Sequence, residues 1–224
     1  MTDEQVLRLR MVNNQLRTFD VTDHRVQDAM LEVARERYVP DEGRAIAYSD
    51  EAIPLVRDAH GRALRTMTRP AVLGRLLQLA AVGPEDVVLL VGAGLGYSAA
   101  VLGELAGSVI ALESDEGLAS SATERLERDD VANVVVVTGD LPAGYPSEAP
   151  FDVVFVDGAI EVEPRALLEQ LRPGGGRLVA ISGRSLAGRA VLYERHESGI
   201  SMRFDFNAAA GLLPGFERQE AFEF

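Results

Sequence analysis

The sequence predicts a doubly wound α/β fold, with a seven-stranded, mostly parallel sheet. Two observations lead to this prediction. Short apolar runs alternate with helical stretches between residues 71 and 182, as expected when right-handed crossovers join parallel strands. A glycine-rich turn, residues 92–96, joins the first of these runs to a helix. Glycines at such a turn let a ligand approach the backbone closely.

The elements follow in chain order. The parallel strands are predicted at 87–91, 108–112, 134–137, 153–156 and 177–181. The helices around them are predicted at 71–81, 97–106, 116–127 and 163–171. After Ile181 the alternation stops, and further strands are predicted at 189–196, 200–206 and 216–224. These would form an antiparallel edge of the sheet.

The 224 residues suit one domain, and we expect three parts within it. Residues 1–70 form an extension that contributes to the substrate cleft. Its first 40 residues have helical spacing, and residues 41–70 are expected to be irregular because they contain Pro54, Gly61 and Pro70. Residues 71–182 form the ligand-binding core, and 183–224 supply the C-terminal strands.

Composition narrows the possible functions. The formal net charge is −13, which disfavours nucleic acid and anionic membranes as partners. Cysteine is absent, so disulfides, thiolate nucleophiles and thiolate metal sites are excluded. We see no span for a membrane and no signal-peptide pattern, and we expect a cytoplasmic protein.

The glycine turn has the spacing G-x-G-x-G, because Tyr97 stands where the dinucleotide fingerprint needs its third glycine. This spacing resembles the first motif of Rossmann-like methyltransferases. Glu113 ends the second strand, where a carboxylate can accept hydrogen bonds from ribose hydroxyls. Asp140 follows the third strand and could receive an adenine amino group, while Leu141 would pack on the ring.

Several blocks resemble protein-L-isoaspartate O-methyltransferases. The blocks Met11–Arg17 (MVNNQLR), 22–26 (TDHRV) and Arg35–Pro40 (RERYVP) are similar to the N-terminal region of that family. Thr66–Pro70 (TMTRP) resembles its T-I-S-x-P signature. The glycine turn and later motifs follow in family order, so the resemblance covers roughly residues 5–182.

The resemblance implies a Rossmann-like methyltransferase fold with an N-terminal helical extension, S-adenosylmethionine as cofactor and S-adenosylhomocysteine as product. It also implies methyl transfer to the abnormal free carboxylate of isoaspartyl residues in proteins or peptides, giving an ester that collapses to a succinimide. Thr68 stands where the active-site serine of the family lies, and Thr66 flanks the cofactor and substrate. The expected cofactor-binding residues are Thr66, Gly92, Ala93, Gly94, Gly96, Tyr97, Glu113, Ser114, Asp140 and Leu141.

This chemistry needs no metal, base or thiol. A carboxylate with a pKa near ~4 is already a nucleophile at neutral pH, so the protein has only to align the reactants and exclude water. Residues 61–69 carry three arginines and no acid. We expect Arg65 or Arg69 to attract the anionic substrate; the alternative is that they are solvated arginines of the loop and the helix start.

Three positions differ from the family pattern. Leu90 stands where the family has an acid that organises the amino-acid end of the cofactor. Residues 56–65 replace a glycine-rich loop, and Asp157 adds a negative charge where the family has a small neutral run. These differences leave two alternatives open: a binding or regulatory protein that has lost the chemistry, and a methyltransferase with another acceptor.

Asp157 also suggests metal-dependent O-methyltransferases. Those enzymes need further oxygen ligands after the next strand, and the residues there, 182–185, contain no acid. The three histidines are scattered along the sequence, which is typical of surface residues. No metal is therefore expected.

Overall fold

The structure is a computed structural model that describes residues 2–183 and 188–218. The helices are α1 (Asp3–Met11), α2 (His24–Glu32), α3 (Pro70–Ala80), α4 (Tyr97–Leu105), α5 (Glu116–Arg128) and α6 (Arg165–Glu169). The strands are β1 (Ile53–Arg57), β2 (Ala63–Met67), β3 (Val87–Val91), β4 (Ser108–Glu113), β5 (Val134–Thr138), β6 (Val153–Ile160), β7 (Gly176–Ser182), β8 (Arg189–His196) and β9 (Gly199–Asn207). Short helical turns lie at Val12–Leu16, Arg17–Phe19, Arg35–Arg37, Asp41–Ile46 and Pro146–Glu148.

The large sheet has the order β5-β4-β3-β6-β7-β8-β9. Its first five strands are parallel, and β8 and β9 join antiparallel at one edge. The predicted fold class is confirmed. The strand predicted at 216–224 is wrong for its described part, residues 216–218. These residues form no strand, because Phe216 ends a segment that is hydrogen-bonded to the end of β6. Residues 219–224 lie outside the described residues.

The core has a layer on each face of this sheet. Along β3, Val88 and Leu90 belong to one hydrophobic cluster, and Leu89 and Val91 belong to the other. This alternation follows from the two-residue period of a strand. All four side chains are fully buried, as expected of a central parallel strand covered by helices on both faces.

The N-terminal helices pack on the face that carries α3 and α4. Arg25 of α2 donates from Nη1 to the Val82 carbonyl oxygen and from Nη2 to that of Leu105, each at 2.8 Å. Gln78 of α3 accepts the N–H of Thr22 at 2.7 Å. These bonds satisfy carbonyl and amide groups where helices end, and they fasten the extension to the core.

The prediction that residues 41–70 are irregular is wrong for part of that stretch. Strands β1 and β2 pair antiparallel, with Ile53 opposite Met67. Gly61, at φ +79°, and the Asp58 carboxylate, which accepts the N–H groups of residues 60 and 62, form the turn between them. Most side chains of this hairpin are half-buried or exposed, and Pro54 interrupts the apolar stretch of β1, so its strands do not resemble the buried apolar runs of the main sheet.

Candidate functional site

The candidate site lies at the carboxyl ends of β3 and β6. The sheet order changes direction here, because β4 follows β3 on one side and β6 lies on the other. In open α/β sheets ligands bind in the crevice at such a switch point. Val91 pairs with Val156, so the glycine turn after Val91 and the side chain of Asp157 lie beside each other.

The glycine turn adopts backbone conformations that favour glycine. Gly92, Gly94 and Gly96 have φ values of +88°, +57° and +95°, a region that L side chains rarely adopt. A Cβ on Gly94 would lie 2.9 Å from Cδ1 of Leu55 in the hairpin. The close approach that the glycines permit is therefore used here by a side chain of the protein itself.

Glu113 ends β4, as predicted, and is fully buried. Its carboxylate accepts the N–H groups of Gly94 and Ser114, both at 2.8 Å, and that of Asp115 at 3.1 Å. Arg65 of the hairpin donates to both oxygens, at 2.6 and 2.7 Å. Burial alone would raise the pKa of Glu113, but the hydrogen bonds and charge of Arg65, followed by the N–H donors, hold it below its usual value.

The structure therefore places neither predicted substrate arginine as a free cation in the crevice. Arg65 is 7% exposed and is paired with Glu113. Arg69 stands at the start of α3, 3.4 Å from the Asp50 carboxylate, with its guanidinium 5.7 Å from the centre of the Phe19 ring. The charge of each arginine is balanced by an acid of the protein.

The segment after β9 covers the other side of the glycine turn. Leu213 donates its N–H to the Ala159 carbonyl oxygen, and its Cδ2 lies 3.0 Å from where a Cβ of Gly92 would be. Asp140 is exposed. Leu141, predicted to pack on the adenine ring, is buried in the same hydrophobic cluster as Leu213 and Phe216 of the C-terminal segment.

Thr68, the predicted catalytic residue, is 4% exposed. Its hydroxyl donates to Oδ1 of Asp157 at 2.6 Å, and the Ser98 hydroxyl donates to Oδ2. Burial raises the pKa of Asp157, and these two hydroxyls oppose that rise in part. The structure therefore brings the predicted threonine and the unexpected acid into direct contact.

Arg35 is a site residue for which the sequence suggested no role. It is fully buried, donating from Nε to the Ala47 carbonyl oxygen and from Nη2 to that of Thr68, both at 2.8 Å. Its guanidinium lies 4.7 Å from the centre of the ring of Tyr97. Arg35 thus holds the Thr68 backbone by a hydrogen bond and packs against the Tyr97 ring. Only its place in the block RERYVP could have drawn attention to it.

Two spaces meet at this site. The inner cleft is bounded by hairpin, glycine turn and β6 residues: Leu55, Arg65, Thr66, Met67, Gly92, Ala93, Gly94, Leu95, Tyr97, Ser98 and Asp157. The outer groove is bounded by Val56, Leu64, Arg65, Ser114, Asp115, Leu212, Pro214 and Glu217. The inner cleft offers about 10 Å³, room for a single water, and the outer groove about 370 Å³. Arg65 borders both spaces.

Within residues 2–183 and 188–218, no three His, Asp or Glu side chains lie close enough together to hold a metal ion. Over the same ranges no helix has the length and apolar character that crossing a bilayer requires.

Comparisons with known proteins give a consistent family. The family model described as protein-L-isoaspartate(D-aspartate) O-methyltransferase matches residues 8–207. A protein-L-isoaspartate O-methyltransferase of Koribacter versatilis is 36% identical over 196 residues, covering 88% of this chain and 85% of that protein. One from Aeropyrum pernix is 39% identical over 202 residues, covering 88% and 75%.

A solved structure agrees in fold. It is a putative protein-L-isoaspartate O-methyltransferase from Plasmodium falciparum in complex with S-adenosyl-L-homocysteine. The TM-score is 0.72 at 22% identity, over 94% of this chain and 97% of that one.

Proposed function

Because the chain belongs to the protein-L-isoaspartate(D-aspartate) O-methyltransferase family, we propose that it methylates the free carboxylate of isoaspartyl residues in proteins or peptides. S-adenosylmethionine is the proposed methyl donor. The observation that carries the proposal is the extent of the family match, which spans Thr68, the glycine turn and Glu113. A cytoplasmic location is part of the proposal, and it rests on the absence of cysteine.

The residues at the switch point fit this cofactor in chemical type. Glycines with positive φ allow a nucleoside to approach the backbone, and Glu113 offers a carboxylate for ribose hydroxyls. In the conformation described here Arg65 holds that carboxylate, and the inner cleft is too small for a nucleoside. Binding therefore requires Arg65 to leave Glu113 and the hairpin or the C-terminal segment to move.

When bound, the cofactor supplies a methyl group already activated by its sulfonium. The work left to the chain is to orient the two reactants and exclude water. Leu55 and Leu213 pack over the glycine turn and can exclude water from it. Thr68 stays fixed by Asp157 and by the guanidinium of Arg35 on its carbonyl oxygen.

The test combines binding with turnover. Titration calorimetry with S-adenosylhomocysteine is followed, on the same preparation, by methyl transfer to an isoaspartyl peptide. Thr68→Ala should lower turnover by at least about 100-fold, the size of effect expected when reactant positioning is lost. Thr18→Ala is the matched control, because that exposed hydroxyl donates to the nearby carbonyl oxygens of Asn14 and Gln15, away from the site. Full activity of Thr68→Ala would remove Thr68 from the proposed mechanism.

A second candidate is a protein that keeps the fold without the chemistry. The Arg65–Glu113 pair favours it, since a permanent pair would leave the ribose without its acceptor. Failure of S-adenosylhomocysteine to bind at millimolar concentration would support this candidate. Binding without methyl transfer to the isoaspartyl peptide would indicate another acceptor.

A further inference from the structure

Asp157 is a carboxylate with hydrogen-bond donors but no cation in contact. Thr68 and Ser98 occupy its two oxygens. Arg35 and Arg65 are near enough to influence its charge, yet they donate instead to backbone carbonyl groups and to Glu113. Over the described residues, Asp157 forms no ion pair. A partly buried carboxylate in this situation is costly unless a positive group comes to it.

The carboxylate faces the space where such a group would arrive. Asp157 borders the inner cleft together with the glycine turn. It directly follows Val156, which pairs with Val91, the last residue before that turn. The hydroxyls of Thr68 and Ser98 hold the carboxylate in one orientation, as a pre-arranged binding group requires.

Leu90 cannot provide this negative charge. It occupies the position where the family has its acid, two residues before Gly92, and it is fully buried in the core layer beneath α3 and α4. Asp157 stands on the neighbouring strand at the same end of the sheet. Two acids therefore lie beside the glycine turn: Glu113 is paired with Arg65, and Asp157, on β6, is the one without an arginine partner among the described residues.

We infer that Asp157 binds the α-ammonium group of S-adenosylmethionine. This inference rests on the proposed function and deepens it, because it assigns the amino-acid end of the cofactor to a residue outside the family pattern. It also removes an apparent conflict. An unpaired Asp157 would repel the carboxylate of an isoaspartyl substrate, whereas an Asp157 paired with an ammonium group presents no net charge to it.

Binding measurements without turnover test this assignment. Two ligands are titrated by calorimetry: S-adenosylhomocysteine, and its analogue without the amino group, 4-(5′-adenosylthio)butanoate. Asp157→Asn should weaken binding of S-adenosylhomocysteine by roughly 10- to 100-fold, the range for loss of a charged hydrogen bond. Binding of the analogue should not weaken, because it has no ammonium group to lose.

The control for charge alone is Asp130→Asn. Asp130 is exposed after α5, at the opposite end of the sheet from the cleft, so this substitution should leave both affinities unchanged. Asp157→Thr serves as a second variant, with circular dichroism reporting whether each protein is folded. Equal weakening of both ligands, or none, in the folded Asp157 variants would overturn the assignment while the cofactor proposal stands. Failure of the unmodified chain to bind either ligand would instead overturn the proposed function.

Discussion

Asp157 combines two influences that act in opposite directions. Burial raises its pKa, and the hydroxyls of Ser98 and Thr68 lower it by a smaller amount. A folded-state pKa above the unfolded value of about 3.9 means that the ionised group destabilises the folded protein. The cost is fully present above the folded pKa, shrinks as the pH falls below that value, and is absent below the unfolded pKa.

Asp157→Asn should therefore remove a pH-dependent cost. The free energy of unfolding of the variant should exceed that of the unmodified chain by most at neutral pH. This difference should shrink as the pH is lowered toward 4. Urea unfolding of both proteins at a series of pH values measures the difference in the free energy of unfolding. A difference that grows on acidification would show that the pKa of Asp157 is lowered in the folded protein.

Among the elements, the β1–β2 hairpin lies over the site. It contributes Leu55 to the glycine turn and Arg65 to Glu113. Arg65 is 7% exposed and Glu113 is fully buried, so the pair is shielded from solvent. A ligand that uses Glu113 has to replace two charged hydrogen bonds.

Arg65→Ala should thus affect stability and affinity in opposite directions. Leaving Glu113 buried without its partner should lower the free energy of unfolding by about 3 to 5 kcal/mol. The same change should tighten binding of S-adenosylhomocysteine by roughly tenfold, because the competitor for the carboxylate is gone. Denaturant unfolding and calorimetry measure the two effects.

Arg62→Ala is the matched control on the same hairpin. Arg62 is largely exposed and pairs with Asp58 in the turn, so its removal should change the affinity for S-adenosylhomocysteine little. If Arg65→Ala stays folded but binds this ligand no better than Arg62→Ala does, Arg65 does not compete with the cofactor.

At the scale of the whole molecule, the extension and the core are expected to unfold together. Arg25 and Gln78 join them through hydrogen bonds at helix ends, and side chains of both parts share one hydrophobic cluster. Far-ultraviolet circular dichroism and tyrosine fluorescence should therefore report one coincident transition. Arg25→Ala should lower the free energy of unfolding by about 1 to 3 kcal/mol, and Arg10→Ala, an exposed change on α1, should have little effect. Two separated transitions in the unmodified chain would contradict the single-domain interpretation.

Sequence patterns predict some parts of this molecule far better than others. The run 87–91 coincides with β3, because a strand buried on both faces needs a continuous apolar stretch. The position of Glu113 follows from the order of strand ends. The hairpin could not be predicted in this way, since Pro54 interrupts the apolar stretch of β1, and Arg65 and Thr66 interrupt that of β2. Arg65 was expected near the substrate, and its pairing with Glu113, 48 positions away, depends on how that hairpin packs.

Because Arg65 borders both the outer groove and the inner cleft, it also affects the rates of ligand association and dissociation. A ligand in the groove can reach Glu113 only during the intervals when the guanidinium is elsewhere. However concentrated the ligand, association would then proceed no faster than those departures occur. Once the hairpin has closed again behind a bound molecule, the same slow departures would delay its escape.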